Sequence, residues 1–579
     1  MRPGSPRRRF RVMLYLTLAG LVLVVGQVIK LQTFGRASLE SAGRAQRVSE
    51  SVLPAQRGTI FARDGGELAL SVPSSTLYAN PKLVTDPTGA VSVLGSMLGL
   101  DDKKRQSLLQ QFTDKTKGFV YIARQIDDQL ADSVMALKLP GIDRLREDKR
   151  IMPSGEVGRS ILGITNIDGS GVAGIEKQYD LLLNGVPGER VREHDQKGRS
   201  IPGSGTTTIE PVPGRDLVLT LDRSLQFQVE QALIARVDQT KAKGGTVVVM
   251  DTATGDIYAI ANVERGEDDL VRVTSANRAA VDSFEPGSVA KVFSMAAVVD
   301  MGAAGPDTTI TVPGYKVFDK GTQWETKIKD AEPHGDEPMS MRQILVHSSN
   351  IGTYLLADRI GSEKLADYLD RFGFGHRTDV GFPGETKGVV YPASEWQGTE
   401  RATVTFGYHY QASALQFTAA VNAVANGGVF VQPRLLSAVI GSRGEIIEMA
   451  PSATHPVVSP AAAATMTSML TDVVCEGTGK EAQVPGISVA GKTGTAYKAL
   501  NGSYGIDGER TYRASFVGYF PAQAPRVTVL VTIDEPDPTS SDRFGGKAAA
   551  PLFATVANAA IHDLEITPTP GDRGCAGKG

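Results

Sequence analysis

The longest run of apolar positions lies near the start of the chain, over residues 12–29, and contains no charged side chain. At about 1.5 Å per residue, a helix of this length nearly crosses the roughly 30 Å hydrocarbon core of a bilayer. Five arginines and no acidic residue precede the run, within residues 1–11. The positive-inside rule therefore predicts a cytoplasmic tail over 1–11, one transmembrane helix over 12–31 and an extracytoplasmic remainder. A cleaved signal peptide is the alternative.

The pattern changes between residues 46 and 210, where short strands and short helices are mixed. Residues 51–69 predict an extended segment, an Asp-Gly turn and a return strand, and residues 171–183 predict a helix that ends at an Asn-Gly pair. Charged residues such as Arg57 and Glu176 are expected to form structural ion pairs. Because this stretch contains no constellation of titratable groups, we interpret it as a supporting or docking domain.

A second domain is predicted over residues 215–563. A strand at 217–221 precedes a helix at 224–237, and two strands follow over 245–261 around a Thr-Gly turn. This order describes a sheet with helices packed on it, so the predicted fold class is α+β.

Composition narrows the function classes only a little. With 41% hydrophobic residues, 22% charged residues and a formal net charge of −3, the 579-residue chain is ordinary for a globular protein and implies no nucleic-acid partner. The seven histidines and two cysteines show no metal-ligand spacing, so we expect no metal site. A disulfide between Cys475 and Cys575 and two free thiols are both open, and the tail over 564–579 is predicted to be disordered.

The candidate chemistry begins at residues 284–299, where Pro286 and Gly287 precede an apolar run. This arrangement predicts that Ser288 lies at a helix N-terminus, whose unpaired N–H groups favour negative charge on a bound carbonyl oxygen. Lys291 would lie on the same helix face, and burial would let its neutral amine accept the serine proton. The pattern alone is weak, because a helix-capping serine beside a solvated lysine has the same sequence.

A second segment lies in a helical pattern over residues 341–359. There Ser348 and Asn350 place a hydroxyl and an amide at alternate positions, suited to pass a proton and to hold a substrate amide. Serine and asparagine at a helix boundary are also common as simple caps.

A third segment, over residues 485–496, predicts a strand that carries a positive charge and two hydroxyl groups. The lysine supplies a positive field, the threonine hydroxyls can bind a carboxylate, and the glycine lets a ligand approach the backbone. An exposed edge strand with a protective lysine is the alternative. The four residues concerned are Lys492, Thr493, Gly494 and Thr495.

The order S-x-x-K, S-x-N and K-T-G is the motif set of the penicillin-recognising serine enzymes. With it the chain resembles the class B penicillin-binding proteins of the FtsI type, from the membrane anchor to about residue 561. Residues 57–60, 173–180 and 476–479 are further marks of the family, whereas residues 406–412 depart from its usual plainer segment. The resemblance implies a transpeptidase fold, an antiparallel sheet flanked by helices, on an elongated pedestal of the dimerisation type over 46–210.

The resemblance also implies a role for each motif residue. It makes Ser288 the acylated nucleophile and Lys291 its general base. Ser348 would pass a proton to the leaving D-alanine, Asn350 would position the substrate peptide, and Lys492 would contribute to the electrostatics of that relay.

The residues that follow Lys492 are assigned to substrate binding. Thr493 and Thr495 would recognise the terminal carboxylate, with Gly494 between them. The backbone N–H groups of Ser288 and Thr495 would form the oxyanion hole.

The implied function is a serine D,D-transpeptidase that cross-links peptidoglycan stem peptides ending in D-Ala-D-Ala during septal wall synthesis, is acylated by β-lactams and needs no cofactor. An elongation-specific class B enzyme and a mainly scaffolding division protein are the alternatives. A β-lactamase is disfavoured because no E-x-x-L-N sequence follows the second motif. By analogy, a SEDS-type glycan polymerase and other division proteins are the expected membrane partners of this single-pass membrane protein.

Overall fold

The computed structural model describes residues 6–33, 48–193, 207–323, 325–498, 504–505 and 510–578. Residues 1–5 of the predicted cytoplasmic tail lie outside this part of the chain.

The described strands, numbered in chain order, are β1 (Val48–Leu53), β2 (Ile60–Phe61), β3 (Glu67–Ala79), β4 (Val120–Ile126), β5 (Ile142–Ile151), β6 (Gly188–Glu193), β7 (Thr207–Ile209), β8 (Asp216–Leu219), β9 (Gly244–Asp251), β10 (Ile257–Arg265), β11 (Val271–Val273), β12 (Thr309–Val312), β13 (Tyr315–Phe318), β14 (Thr326–Lys329), β15 (Glu337–Ser340), β16 (Val389–Val390), β17 (Tyr410–Gln411), β18 (Val429–Val431), β19 (Leu436–Ile440), β20 (Ile446–Glu448), β21 (Thr454–Pro456), β22 (Ala490–Tyr497), β23 (Tyr512–Phe520) and β24 (Val527–Asp534).

The described α-helices are α1 (Pro6–Thr33), α2 (Pro87–Met97), α3 (Asp102–Thr113), α4 (Asp128–Ala136), α5 (Arg159–Leu162), α6 (Gly174–Gln178), α7 (Asp180–Leu183), α8 (Arg223–Gln239), α9 (Arg278–Val281), α10 (Ala290–Asp300), α11 (Met341–Val346), α12 (Asn350–Ala357), α13 (Ser362–Arg371), α14 (Glu400–Thr403), α15 (Ala414–Ala425), α16 (Pro460–Cys475), α17 (Gly545–Ala548) and α18 (Ala550–Asp563).

The chain divides into two compact units. The smaller unit comprises Met1–Gln56 and Gly185–Pro213. It contains α1 and a three-stranded antiparallel sheet in the order β1-β6-β7. Within the described residues, α1 is the helix long and apolar enough to cross a membrane, over Pro6–Gln32, which fits the predicted anchor.

The larger unit comprises Arg57–Asn184 and Gly214–Gly579, and its first sheet joins the two predicted domains. The strand order is β20-β19-β8-β2-β3-β4, with β5 also paired to β3. β2 pairs in parallel with β8, so this sheet continues from the predicted pedestal into the predicted catalytic domain. The exact boundary between 210 and 215 stays a prediction.

A six-stranded sheet in the order β11-β10-β9-β24-β23-β22 forms the centre of the larger unit. All of its pairings are antiparallel. Its core is apolar on both faces: α8 and α18 contribute to one buried cluster, and α10, α15 and α16 contribute to the other. This is the predicted α+β class, an antiparallel sheet flanked by helices, with β22 at the edge.

The predicted disordered tail over 564–579 is wrong for the part of it that the structure describes. Ile566 is buried in the core of the larger unit, and Asp572 accepts hydrogen bonds from Ser488. Cys475 and Cys575 form a disulfide, with their Cα atoms 5.3 Å apart. The composition of the tail predicted disorder, but the residues that order the tail lie far away in the sequence.

Arg57 and Glu176, which were expected to form structural ion pairs, pair with each other, and both side chains are buried. Arg57 Nε donates to one Glu176 carboxylate oxygen at 2.7 Å, and Arg150 Nε donates to the other at 2.7 Å. Asp180 accepts a further hydrogen bond from Arg57 at 2.7 Å. The two guanidinium groups therefore share the buried carboxylate of Glu176, and Asp180 gives Arg57 a second partner.

We predict that Glu176→Ala lowers the free energy of unfolding by about 3–5 kcal/mol, because it leaves two buried guanidinium groups without their shared carboxylate. Urea unfolding of the detergent-solubilised chain measures the loss. Asp367→Ala, which breaks a pair whose side chains are 45% and 46% exposed, is the matched control and should leave the midpoint unchanged. Equal midpoints for the two variants would contradict the prediction.

Candidate active site

Ser288 lies in a one-turn 3-10 helix, Gly287–Val289, that runs directly into α10. The sequence predicted Ser288 at the N-terminus of the helix. The structure differs in that Ser288 lies in the tighter 3-10 turn that precedes the α-helix. Gly287 has a φ of +53°, and its N–H donates to the carbonyl of Gly407 at 3.1 Å. The Ser288 side chain is half-buried, whereas α10 is buried from Ala290 to Val298.

Ser348 lies in a break that the sequence did not predict. The helical pattern over 341–359 is interrupted between α11 and α12, and Ser348 takes a left-handed conformation there, with a φ of +57°. A continuous helix would need a negative φ at this residue. The break therefore separates Ser348 from both helices.

Lys291 is fully buried and points its amine at this break. Its Nζ donates to the Ser348 carbonyl at 2.5 Å, to the Ser348 hydroxyl at 3.1 Å and to Asn350 Oδ1 at 2.8 Å. The first two predicted motifs are thus in direct contact.

Lys492, on β22, reaches the same hydroxyl from the other side. It is also fully buried, and its Nζ donates to Ser348 Oγ at 3.0 Å and to the carbonyl of Thr493 at 3.2 Å. Two lysine amines therefore converge on one serine hydroxyl. The three motifs, far apart in the sequence, form one cluster.

Burial sets the protonation of both amines. It lowers the pKa of Lys291 well below its usual range, and the charge of Lys492 lowers it further, while the carboxylate of Asp330 acts in the opposite direction. Burial likewise lowers the pKa of Lys492 to about 7. Burial therefore favours the neutral form of each amine.

The remaining predicted residues lie along β22. Thr493 Oγ1 is 2.7 Å from Thr478 Oγ1, and Thr495 Oγ1 accepts a hydrogen bond from the Gly545 N–H at 3.0 Å. A Cβ added to Gly494 would lie 2.3 Å from the Ser515 hydroxyl and 2.9 Å from the carbonyl of Pro286. The missing side chain thus lets β22 pack against the Ser288 turn, whereas ligand approach to this glycine stays a prediction.

Sequence reasoning missed a carboxylate behind the second motif. Asp330 Oδ1 accepts hydrogen bonds from the N–H of Asn350 at 2.6 Å and of Ile351 at 3.0 Å, so it caps α12. Its other oxygen accepts one from the Ser349 hydroxyl and lies 3.0 Å from His334 Nε2. This contact with Asp330 raises the pKa of His334. No motif surrounds Asp330, so the sequence contained no signal for it.

The unusual segment 406–412 borders the Ser288 turn. A Cβ on Gly407 would lie 2.0 Å from the carbonyl of Gly287, so the two backbones touch. Glu285 accepts hydrogen bonds from the N–H of His409 at 3.0 Å and from the hydroxyl of Tyr504 at 2.8 Å. This segment therefore belongs to the wall of the site.

Comparison with known proteins agrees with this geometry. The family model of the penicillin-binding protein transpeptidase domain matches residues 245–558, more than half of the chain, and that of the penicillin-binding protein dimerisation domain matches residues 52–219. A probable peptidoglycan D,D-transpeptidase PenA of Neisseria meningitidis is 33% identical, over 96% of this chain and 93% of that protein. The peptidoglycan D,D-transpeptidase FtsI of Escherichia coli is 31% identical, over 98% of this chain and 94% of that protein.

The chain is a class B penicillin-binding protein of the FtsI type. Among solved structures, penicillin-binding protein 3 from Mycobacterium tuberculosis, complexed with aztreonam, superposes with a TM-score of 0.69 at 28% identity, covering 90% of this chain and 99% of that one. This penicillin-binding protein is a serine-type D-Ala-D-Ala transpeptidase of peptidoglycan synthesis. Its N-terminal helix fits a membrane anchor.

We predict that Gly494→Ala lowers labelling by a fluorescent penicillin on the order of 100-fold, because the new methyl group would push β22 away from the Ser288 turn. Gly305→Ala is the matched control: its Cβ would meet nothing within 4 Å, so labelling should stay at the wild-type rate. Normal labelling of the Gly494 variant would show that this close approach is dispensable.

Proposed function

We propose that this penicillin-binding protein forms an acyl-enzyme on Ser288 and uses it to cross-link stem peptides during septal wall synthesis. The observation that carries the proposal is the convergence of Lys291 and Lys492 on the hydroxyl of Ser348. Lys291 follows Ser288 by three residues in the chain. Such paired amines can move a proton onto and off a serine hydroxyl without a metal ion.

In the first step, neutral Lys291 accepts the proton of Ser288 while the serine oxygen attacks the carbonyl carbon between the two D-alanines. A neutral amine has two N–H donors, and the Ser348 carbonyl and Asn350 Oδ1 can accept their hydrogen bonds. The lone pair of the Lys291 amine then remains free to accept the proton of Ser288. The N–H groups of Ser288 and Thr495 stabilise the negative charge on the carbonyl oxygen.

In the second step, the C–N bond breaks and D-alanine leaves. The proton held by Lys291 reaches the departing amine through the hydroxyl of Ser348, which both lysines contact. An amine of a neighbouring stem peptide then attacks the serine ester and releases Ser288. The proton of this amine passes through the Ser348 hydroxyl and Lys291 to the Ser288 oxygen.

Substrate binding follows from the groups along β22. The hydroxyls of Thr493 and Thr495 bind the terminal carboxylate, and the positive field of Lys492 favours the same group. Gly494 lets β22 lie close to the Ser288 turn, so the peptide bound along β22 meets the nucleophile, and the Asn350 amide holds the peptide chain. A β-lactam would occupy the same groups and acylate Ser288.

The disulfide supports an oxidising, extracytoplasmic location for the catalytic domain. The arginines at the start of α1 favour a cytoplasmic N-terminus. In this topology the membrane helix would contact a SEDS-type glycan polymerase and other division proteins. Depletion that yields filamentous cells would support the septal role, and rounded cells would favour elongation.

We predict that penicillin forms a covalent adduct on Ser288 of the full chain and that Ser288→Ala abolishes it. Peptide mass spectrometry locates the adduct. Ser283→Ala is the matched control, since it removes a neighbouring hydroxyl that donates a weak hydrogen bond, at 3.3 Å, to Gln411 Oε1. An adduct at any other residue, or none on a folded protein, would refute the mechanism.

We predict that the acylation rate falls as the pH drops through the pKa of Lys291, because the protonated amine cannot accept the serine proton. The Asp330 carboxylate raises that pKa, so Asp330→Asn should move the acidic limb of the rate profile to lower pH. Stopped-flow acylation across the pH range measures the shift. Glu337→Gln is the matched control: it removes a carboxylate 3.6 Å from His334 that does not shift the pKa of Lys291, so the acidic limb should stay in place.

A further inference from the structure

The end of the chain is attached to both ends of one loop beside the active site. The loop spans residues 476–489 and connects α16 to β22. Cys575 is bonded to Cys475, the last residue of α16. Asp572 accepts hydrogen bonds from the N–H of Ser488 at 2.9 Å and from its hydroxyl at 2.7 Å.

The first attachment lies next to the turn that carries Thr478. The N–H groups of Gly477 and Gly479 both donate to the carbonyl of Val473, at 3.1 and 3.0 Å, and so fold the chain tightly after α16. This turn brings the hydroxyl of Thr478 to 2.7 Å from that of Thr493. The disulfide therefore anchors the turn that supports Thr493.

The second attachment lies just before β22. Ser488 is buried, and its carbonyl and hydroxyl accept hydrogen bonds from the N–H of Ala522 at 2.9 and 3.1 Å. With Asp572 it has a partner on each side, so it cannot slide along the strand direction without breaking several hydrogen bonds. Lys492 follows four residues later, on β22.

We propose that residues 572–575 of the C-terminal tail are a positioning element of the transpeptidase site. Asp572 and the disulfide hold the loop over 476–489 so that Thr493 stays against Thr478 and Lys492 stays against Ser348. The tail acts through β22 and touches neither the serine nor the substrate. This inference rests on the proposed function of the β22 residues.

The physical reason is that the reaction tolerates little displacement of its catalytic groups. A displacement of about 1 Å in a catalytic group can lower a rate about 100-fold. A loop held at both ends has a narrower range of positions than one held by the strand alone, because each attachment removes conformations. Detaching the tail should therefore slow acylation before it unfolds the domain.

The test compares three variants of the detergent-solubilised full chain. The paired change Cys475→Ser with Cys575→Ser removes the first attachment without leaving a free thiol, and Asp572→Asn weakens the second. Ile566→Ala is the matched control, because it removes buried apolar contact from the same tail upstream of both attachments. For each, we measure the acylation rate with a penicillin and with its methyl ester, and the melting temperature.

We expect the first two variants to lose roughly tenfold or more in acylation by the penicillin. The methyl ester lacks the charge that Thr493 would bind, so its rate should fall less, and the preference for the free carboxylate should shrink. Ile566→Ala should lower the melting temperature and leave both acylation rates unchanged. Loss of activity in proportion to the melting temperature in all three variants would overturn the proposal.

Reduction of the folded wild-type chain gives a test that does not depend on how a variant folds. Dithiothreitol passes two electrons to the disulfide and closes to its own cyclic disulfide, which leaves Cys475 and Cys575 as thiols. Acylation should slow in the wild type and not in the double serine variant. Equal rates before and after complete reduction, verified by thiol labelling, would overturn the role of the disulfide.

The outcomes separate the two levels of inference. If the untreated wild type forms no adduct on Ser288, the proposed function fails and the tail inference falls with it. If Ser288 is acylated normally and the variants match the wild type, only the positioning role fails.

Discussion

The burial of two lysine amines beside one serine hydroxyl is the interaction on which the rest of this site depends. A buried ammonium group is costly unless hydrogen-bond acceptors surround it, and the same cost lowers its pKa. Lys291 finds its acceptors at the break between two helices, and Lys492 finds its acceptors along its own strand and at Ser348. The helix, the break and the edge strand must therefore meet at one point.

Close backbone contact allows the helix of Lys291, the break at Ser348 and the edge strand β22 to come together. Gly287, Gly407 and Gly494 each lie where a Cβ would reach another backbone within 3.0 Å. Glycine lets three separate segments touch, because it has no side chain and accepts positive φ at little cost. The reactive groups are thus held by packed backbone, which changes position less than side chains do.

The carboxylate of Asp330 supports the residues of the second motif. Asp330 caps α12 and raises the pKa of Lys291 through its charge, so one carboxylate both shapes the turn of the second motif and affects its protonation. Sequence reasoning found the motif residues, because their spacing is distinctive, and missed Asp330, because a single acidic residue in a polar stretch is not. It also predicted a helical pattern over 341–359 but not the left-handed conformation that Ser348 adopts within it.

The sequence by itself determined the apolar N-terminal helix, the α+β class and the identity of the motif residues, since each depends on local periodicity or on residue types at short spacing. Only the tertiary structure decided the order of the central sheet, the single sheet that joins the two predicted domains and the course of the tail. Those features depend on pairings between residues far apart in the chain. Asp572 with Ser488 is such a pairing, and no local pattern near either residue predicts it. For Cys475 and Cys575 the sequence left a disulfide and two free thiols open, and the fold brings the two together.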